Sequence, residues 1–202
     1  MRRLLNIFLL LLMTMTVNAE ELDFSFPVSF QGAKPTIGDF VTAICNREEP
    51  GEWMTYVGED WERNQRGEQT KGRFKVSCSK GYMTYVEQDS EDGYVHKGTS
   101  EFRCWPCKDC NCMIVAETSH FYRDGVAYVG QYDGLSLYLY DPDSRRMDMV
   151  YLSDYGMEGP EIDAHFIYTL TRKGITGIAD KPDGSKYRVK YMWNGKSFAK
   201  TE

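Results

Sequence analysis

The sequence predicts an α+β fold in which an N-terminal edge strand and one or two helices pack on an antiparallel β-meander, as a sandwich or a partly open barrel. Three observations predict this fold. Apolar residues recur at helical spacing between residues 36 and 64. From Arg73 onward, apolar and polar residues alternate, and Gly and Asp mark the breaks. The connections between these strands are too short for helical crossovers, which indicates antiparallel pairing.

The first elements are a strand and two helices. Apolar residues alternate from Leu22 to Phe30, and Pro27 within this strand cannot donate a ladder hydrogen bond, so we expect it at a sheet edge. The first helix is predicted to begin after Thr36, a favourable N-cap residue with Asp39 three positions on. A second helix is predicted from Glu52 to Asn64, where large apolar residues recur every four positions.

The remaining chain is predicted to form strands joined by tight turns. We expect these strands near residues 73–79, 82–87, 100–104, 113–122, 126–131, 135–140, 147–152, 165–170 and 186–193. Asn194-Gly195 favours a hairpin turn toward Phe198. The acidic run from Glu87 to Asp92 is interpreted as a solvated loop.

The first nineteen residues have the pattern of a secretory signal peptide. Arg2 and Arg3 precede an apolar stretch, and Val17-Asn18-Ala19 forms a small-x-small cleavage site. We therefore expect residues 1–19 to be removed and residues 20–202 to form a single α+β domain. No later segment is apolar enough to cross a membrane. The sequence thus predicts an exported protein, periplasmic or secreted, with no membrane span in the mature chain.

The charge balance is acidic. The chain has 202 residues, with 24 Lys and Arg against 30 Asp and Glu, and its formal net charge is −6 at pH 7. A protein that binds nucleic acid through phosphate contacts needs a basic surface. The composition therefore argues against a nucleic-acid partner.

Cys45 and Cys78 are predicted to form a disulfide. Cys45 falls on the apolar face of the first predicted helix, and Cys78 follows Phe74 and Val76 on the apolar face of a predicted strand. Both side chains would then point into one core, and disulfides persist outside the cytoplasm. The alternative is that both are buried free thiols.

The other four cysteines, Cys104, Cys107, Cys110 and Cys112, lie within nine residues, and three interpretations compete. The favoured one is a hairpin staple with Cys104–Cys112 outside Cys107–Cys110. The second is a metal site, since four thiolates suit zinc or an iron–sulfur cluster, although the spacing is unusual for either. The third is thiol–disulfide exchange through Cys104-Trp105-Pro106-Cys107.

Motifs typical of enzymes are absent from the sequence. It has no nucleophile elbow, zinc-protease motif, phosphate-binding loop or dinucleotide fingerprint. His120 and His165 fall in predicted strands, where a histidine is more often structural than catalytic, and His96 falls in a predicted loop. A hydrolase that pairs His120 or His165 with a carboxylate is the weakest alternative. We therefore predict no catalytic residues and no cofactor, and whether the protein is an enzyme stays uncertain.

Aromatic residues are the best candidates for a binding surface, because Tyr and Trp make large, ordered contacts. Those in the strand region are Trp105, Tyr128, Tyr132, Tyr138, Tyr140, Tyr151 and Tyr155. The alternative is ordinary strand composition, because aromatic residues favour sheets. The sequence does not separate these two interpretations.

Several stretches resemble a group of small uncharacterised exported proteins of Bacteroidetes-type bacteria. They are Pro35 to Phe40, Val129 to Asp141, Thr171 to Gly174 and Tyr191 to Phe198. The resemblance implies an exported α+β domain and no particular activity or site residue. Export, aromatic strands and the lack of catalytic motifs together predict a disulfide-stapled, non-enzymatic binding module with a protein or glycan partner. The alternative is a metal-binding or thiol-redox protein that acts through Cys104 to Cys112.

Overall fold

Three layers make up the computed structural model, which describes residues 25–127, 134–157 and 166–202. Two helices cover one face of an eight-stranded sheet, and a four-stranded sheet covers the other face. The helices are α1 (Ile37–Cys45) and α2 (Glu52–Gln65). The strands are β1 (Ser25–Pro27), β2 (Arg73–Ser77), β3 (Tyr82–Glu91), β4 (Tyr94–Pro106), β5 (Met113–Arg123), β6 (Val126–Ala127), β7 (Gly134–Asp141), β8 (Arg146–Val150), β9 (Ile167–Leu170), β10 (Gly174–Asp180), β11 (Lys186–Trp193) and β12 (Phe198–Lys200).

The large sheet is an antiparallel meander, and the predicted α+β class is confirmed. Its strand order is β1-β8-β7-β5-β4-β3-β2, and β6 pairs with β5. The small sheet has the order β12-β11-β10-β9. Strand β1 lies at the edge as expected, with Pro27 opposite Arg146. Residues Leu22 and Phe24 of the predicted first strand, and the predicted signal peptide Met1 to Ala19, lie outside the described residues.

Helix α1 begins as the sequence predicts. The backbone N–H of Asp39 donates to the Thr36 hydroxyl at 3.4 Å, and the Thr36 N–H donates to the Asp39 carboxylate at 2.6 Å. This reciprocal pair satisfies donors that a helix N-terminus otherwise leaves free. The Trp61 indole N–H of α2 then donates to the Thr42 hydroxyl at 2.9 Å, which ties the two helices together.

Two hydrophobic cores result, because side chains alternate across a strand. Phe40, Tyr85 and Tyr138 belong to the core between the helices and the large sheet. Ile114 and Leu137 belong to the core between the two sheets. The large sheet is therefore buried on both faces at its centre.

The acidic run is not a loop, and that prediction is wrong. Strand β3 continues through it to Glu91, and its ten residues all pair with β4. The chain turns instead at Asp92 and Gly93, which both have positive φ (53° and 78°), the conformation that two-residue hairpin turns require. Pairing with β4 thus overrides the low strand propensity of acidic residues.

Strand β10 was not predicted, because Gly174 and Gly177 interrupt its apolar pattern. Its glycines allow close packing: a Cβ on Gly174 would lie 1.9 Å from the Tyr191 carbonyl oxygen on β11.

Within the described ranges no helix combines the length and the apolar character needed to cross a bilayer.

Candidate functional site

The six cysteines are free thiols in the structure, and no two of them lie at bonding distance. Cys45 is buried in α1, where Gly58 of α2 packs against it, and burial raises the pKa of its thiol far above the ordinary value. Cys78 is exposed, because β2 ends at Ser77 and the chain continues into a short 3-10 helix over Cys78–Lys80. The expectation that Cys78 faces the same core as Cys45 is therefore wrong, and the structure contains no Cys45–Cys78 bond.

Cys104 lies away from the tip of the β4–β5 hairpin. In the register of this hairpin it pairs with Val115, whereas Pro106 pairs with Met113. Its backbone N–H donates to the Gly81 carbonyl at 2.9 Å, and a Cβ on Gly81 would meet the Cys104 sulfur at 2.6 Å. Burial raises the pKa of Cys104 to about 11. Cys104 therefore faces the turn that carries Cys78, and the structure does not place it opposite Cys112.

The remaining three cysteines, Cys107, Cys110 and Cys112, form the hairpin tip and are called the thiol tip below. The Cys107 N–H donates to the Cys112 carbonyl at 3.1 Å, so the segment is a hairpin turn, as the staple interpretation expects. Among the described residues, no group of three or more His, Cys, Asp or Glu side chains is arranged to hold a metal ion. The four-cysteine metal alternative therefore has no geometric support.

Three of the five described aromatic residues that were candidates for a binding surface are core residues. Trp105, Tyr138 and Tyr140 are buried, whereas Tyr151 is 78% exposed and Tyr155 is half-buried. Tyr128 and Tyr132 lie outside the described residues. For the three buried rings, strand composition is the correct interpretation.

The histidines occupy different environments. His120 is buried on β5, and its Nε2 lies 2.5 Å from the Tyr168 carbonyl oxygen, so it links the two sheets and has a structural role. His165, and the acidic pair Glu161 and Asp163, lie outside the described residues. His96 is exposed on β4, not in a loop, and it lines a cleft.

This cleft, called the Trp53 cleft below, lies where α2 meets β3, β4 and β5, and has a volume of about 290 Å³. Its lining residues are Trp53, Tyr56, Lys71, Glu87, Asp89, His96, Gly98 and Phe121. Strand pairing brings two of its rows together. Glu87, Gly98 and Phe121 form one cross-strand row. Asp89 and His96 form the next row on the same face, two residues along each strand.

Trp53 is held in a fixed orientation at the centre of the cleft. Its indole N–H donates to the Ser100 hydroxyl at 2.8 Å. Its ring meets Phe121 edge to face at a centroid distance of 4.7 Å and lies 5.6 Å from the Tyr85 ring. Gly98 makes room for the indole, because a Cβ there would lie 2.2 Å from the ring.

Two acidic side chains line the cleft together with the aromatic rings. Glu87 is half-buried, with one carboxylate oxygen 3.2 Å from the Tyr85 hydroxyl, and Asp89 is exposed. Lys71 lies on the aromatic side, with Nζ 5.7 Å from the centroid of the Tyr56 ring. The cleft therefore combines aromatic rings with carboxylates that face solvent.

Replacing Gly98 by alanine is expected to displace the Trp53 indole and to lower the free energy of unfolding by about 1–2 kcal/mol, through overpacking. The Trp53 indole N–H signal in an NMR spectrum should shift. Gly134→Ala is the matched control, since no atom lies within 4 Å of a Cβ added to that strand glycine. An unchanged Trp53 signal in Gly98→Ala would contradict the packing described above.

Comparison of the chain with known proteins found no matching protein family, curated protein or solved structure. The resemblance to exported proteins of Bacteroidetes-type bacteria stays a prediction.

Proposed function

We propose that the protein is an exported, non-enzymatic binding module that binds a glycan in the Trp53 cleft. One observation carries the proposal. The cleft joins an oriented tryptophan and Phe121 to the carboxylates of Glu87 and Asp89 on neighbouring strands. Sites on rigid strands and helices hold their side chains more firmly than sites on loops.

The aromatic rings and the carboxylates of the cleft suit the apolar and the polar groups of a sugar, respectively. The C–H groups of a sugar ring form an apolar patch that packs against an aromatic ring, while its hydroxyls donate hydrogen bonds. Carboxylates accept such bonds, and hydrogen bonds to charged groups are the stronger ones. A few oriented polar groups in a mostly apolar cleft are typical of small-ligand sites.

The charge of the cleft lining limits which sugars can bind. Among the lining residues, Glu87 and Asp89 are the two acids, and Lys71 is the one lysine, with the His96 imidazole beside Asp89. A uronic or sialic acid would bring its own carboxylate against them, and like charges repel in a partly desolvated site. The cleft therefore favours neutral or amino sugars.

The placement of the two carboxylates supports binding over hydrolysis. Glu87 and Asp89 are two residues apart on β3, so both project from the same wall of the cleft. Glycoside hydrolases place their two carboxyl groups on either side of the scissile bond. These carboxylates are suited to holding sugar hydroxyls.

Calorimetric titration with soluble oligosaccharides tests the proposal, using neutral, amino and uronic sugars as separate probes. We expect a neutral or amino sugar to bind and Asp89→Asn to weaken its affinity about tenfold, because a hydrogen bond to a charged group is lost. Asp148→Asn on β8 is the matched control, since it also removes an exposed strand carboxylate, and it should bind as wild type does.

Two results would overturn the proposal. Failure of every sugar in the panel to bind would exclude a glycan ligand and favour the protein-partner alternative. Equal affinity of the wild type and Asp89→Asn would show that sugar binds outside the Trp53 cleft.

In an oxidising compartment we expect a disulfide between Cys78 and Cys104, not between Cys104 and Cys112. The supporting observations are that the Cys104 sulfur packs on Gly81, which ends the short helix that begins at Cys78, and that the Cys104 N–H donates to the Gly81 carbonyl. Peptide mapping of air-oxidised protein by mass spectrometry should recover a peptide linked through these residues. Recovery of Cys104 linked to Cys112 would contradict this expectation.

A further inference from the structure

The thiol tip places three cysteines on one surface turn. Cys107 and Cys112 flank the mouth of the turn, and the Cys107 N–H donates to the Cys112 carbonyl. Cys110 lies between them in the sequence, and it lines the same cleft as Cys107. The turn therefore holds a central thiol with one neighbouring thiol on each side.

The tip is fixed in place by the turn between β11 and β12. The Lys108 N–H donates to the Gly195 carbonyl at 2.8 Å, and the Lys108 ammonium donates to the Asn194 carbonyl at 2.6 Å. The Trp193 indole N–H donates to the Pro106 carbonyl at 3.2 Å. These contacts on both sides of Cys107 hold the thiols in one arrangement.

The three thiols differ in their chemistry. Cys110 is exposed, and hydrogen bonds, first of all from the backbone N–H of Cys112, lower the pKa of its thiol. The neighbouring Asp109 carboxylate acts in the opposite direction and offsets part of this lowering. Burial raises the pKa of Cys107 to about 12 and that of Cys112 to about 11. The thiolate is the nucleophilic form of cysteine. Cys110 is thus the exposed thiol of the tip, and the one whose pKa is lowered.

A cleft of about 480 Å³ opens beside the thiol tip, large enough for a small molecule or a few residues of a peptide. Its lining includes Cys107 and Cys110 together with the apolar side chains of Leu139 and Val150. The charged residues of the lining are Asp109, Asp154 and Lys196. A substrate held in this cleft lies against the exposed sulfur of Cys110.

We propose that the thiol tip is a thiol–disulfide exchange site, in which Cys110 attacks a disulfide substrate and Cys107 completes the exchange. This exchange would be a second function of the chain, because the non-enzymatic role proposed above concerns the Trp53 cleft alone. The substrate class is a disulfide of a peptide or of a small thiol. Cys107 is chosen as the second residue because a bond between Cys110 and Cys112, which are separated by one residue, would close a more strained ring.

The exchange takes two steps, in which one disulfide bond forms for each one that breaks. The Cys110 thiolate attacks one sulfur of the substrate; the substrate S–S bond breaks, and the first thiol leaves with that electron pair and takes up a proton. Cys107 then loses its proton and attacks the Cys110 sulfur in this mixed disulfide, and the second thiol leaves. Two protein thiols are oxidised to one disulfide, the substrate is reduced to two thiols, and Cys112 remains a thiol.

Oxidation of the reduced full-length protein by glutathione disulfide tests the proposal. Free thiols are alkylated at set times, and the products are mapped by mass spectrometry. Cys78→Ser and Cys104→Ser are introduced in every sample, so that the tip reacts alone apart from buried Cys45. We expect a Cys107–Cys110 disulfide to form, and Cys110→Ser to slow loss of tip thiols at least about tenfold, because the low-pKa thiol is lost.

Two further variants keep the test decisive. Cys107→Ser should accumulate glutathione on Cys110, since the second step is blocked, whereas Cys112→Ser should still form the Cys107–Cys110 bond. The rate at which Cys110 reacts with glutathione disulfide should also stay high at a lower pH than the rate of an ordinary cysteine. The reason is that a lowered pKa keeps the thiolate present as the pH falls. Equal rates in Cys110→Ser, or no mixed disulfide in Cys107→Ser, would overturn the proposal.

Discussion

Replacing Arg47 by methionine is expected to lower the free energy of unfolding by about 3 kcal/mol, because it leaves the Glu117 carboxylate buried without its ion-pair partner. Glu117 is 6% exposed, and one of its oxygens lies 3.2 Å from an Arg47 guanidinium nitrogen. The same oxygen accepts from the Tyr138 hydroxyl at 2.6 Å, and Arg47 also donates to that hydroxyl. Urea unfolding followed by circular dichroism measures the change.

A double variant separates the buried charge from lost packing. Arg47→Met combined with Glu117→Gln removes both charges, so it should recover more than half of the stability lost in Arg47→Met alone. If the losses of the two single variants simply add, then Arg47 stabilises the protein by contacts other than this ion pair.

Replacing Asp60 by alanine is expected to lower the free energy of unfolding by about 2 kcal/mol, because the buried Gly72 N–H loses its acceptor and the Tyr85 hydroxyl loses the nearer of its two acceptors. Asp60 is 2% exposed on α2. One of its oxygens accepts from the Gly72 N–H at 2.8 Å and from the Tyr85 hydroxyl at 2.9 Å. The carboxylate therefore fastens the helix both to the segment before β2 and to β3, and unfolding in urea again measures the loss.

Asp60→Ala should also alter the Trp53 cleft. The Tyr85 hydroxyl lies 3.2 Å from Glu87, so without Asp60 it can turn toward that cleft carboxylate.

Asp60→Asn keeps a carbonyl oxygen, so it should lower the free energy of unfolding by less than half as much as Asp60→Ala does. A loss below about 0.5 kcal/mol in Asp60→Ala would show that the two donors find other acceptors.

Local patterns were sufficient to predict the fold class. The capping pair at Thr36 and Asp39 marks the start of α1, and alternation together with short turns indicates the meander. Gly58 weakens the pattern of α2, yet it is where the two helices approach, since a Cβ there would lie 2.9 Å from the Cβ of Cys45. The predicted helix therefore extends through this glycine.

The candidate sites depend on strand register, which local patterns did not determine. Glu87 and Asp89 were interpreted as a solvated loop, and only their pairing with β4 brings them beside His96 and Gly98. No sequence pattern marks Gly98 as part of a site, although its missing side chain makes room for Trp53. For the cysteines, spacing alone favoured Cys104 opposite Cys112, whereas the hairpin register places Val115 opposite Cys104.

The most direct test of the glycan-binding proposal is an NMR titration of the Trp53 indole N–H signal with the oligosaccharide panel. Trp61 and Trp105 are about 5% exposed and serve as internal references. We predict that a neutral or amino sugar shifts the Trp53 signal to saturation and leaves the two reference signals unchanged. A Trp53 signal that no sugar moves, or a sugar that moves only the signal of Trp193 on β11 of the small sheet, would contradict the account.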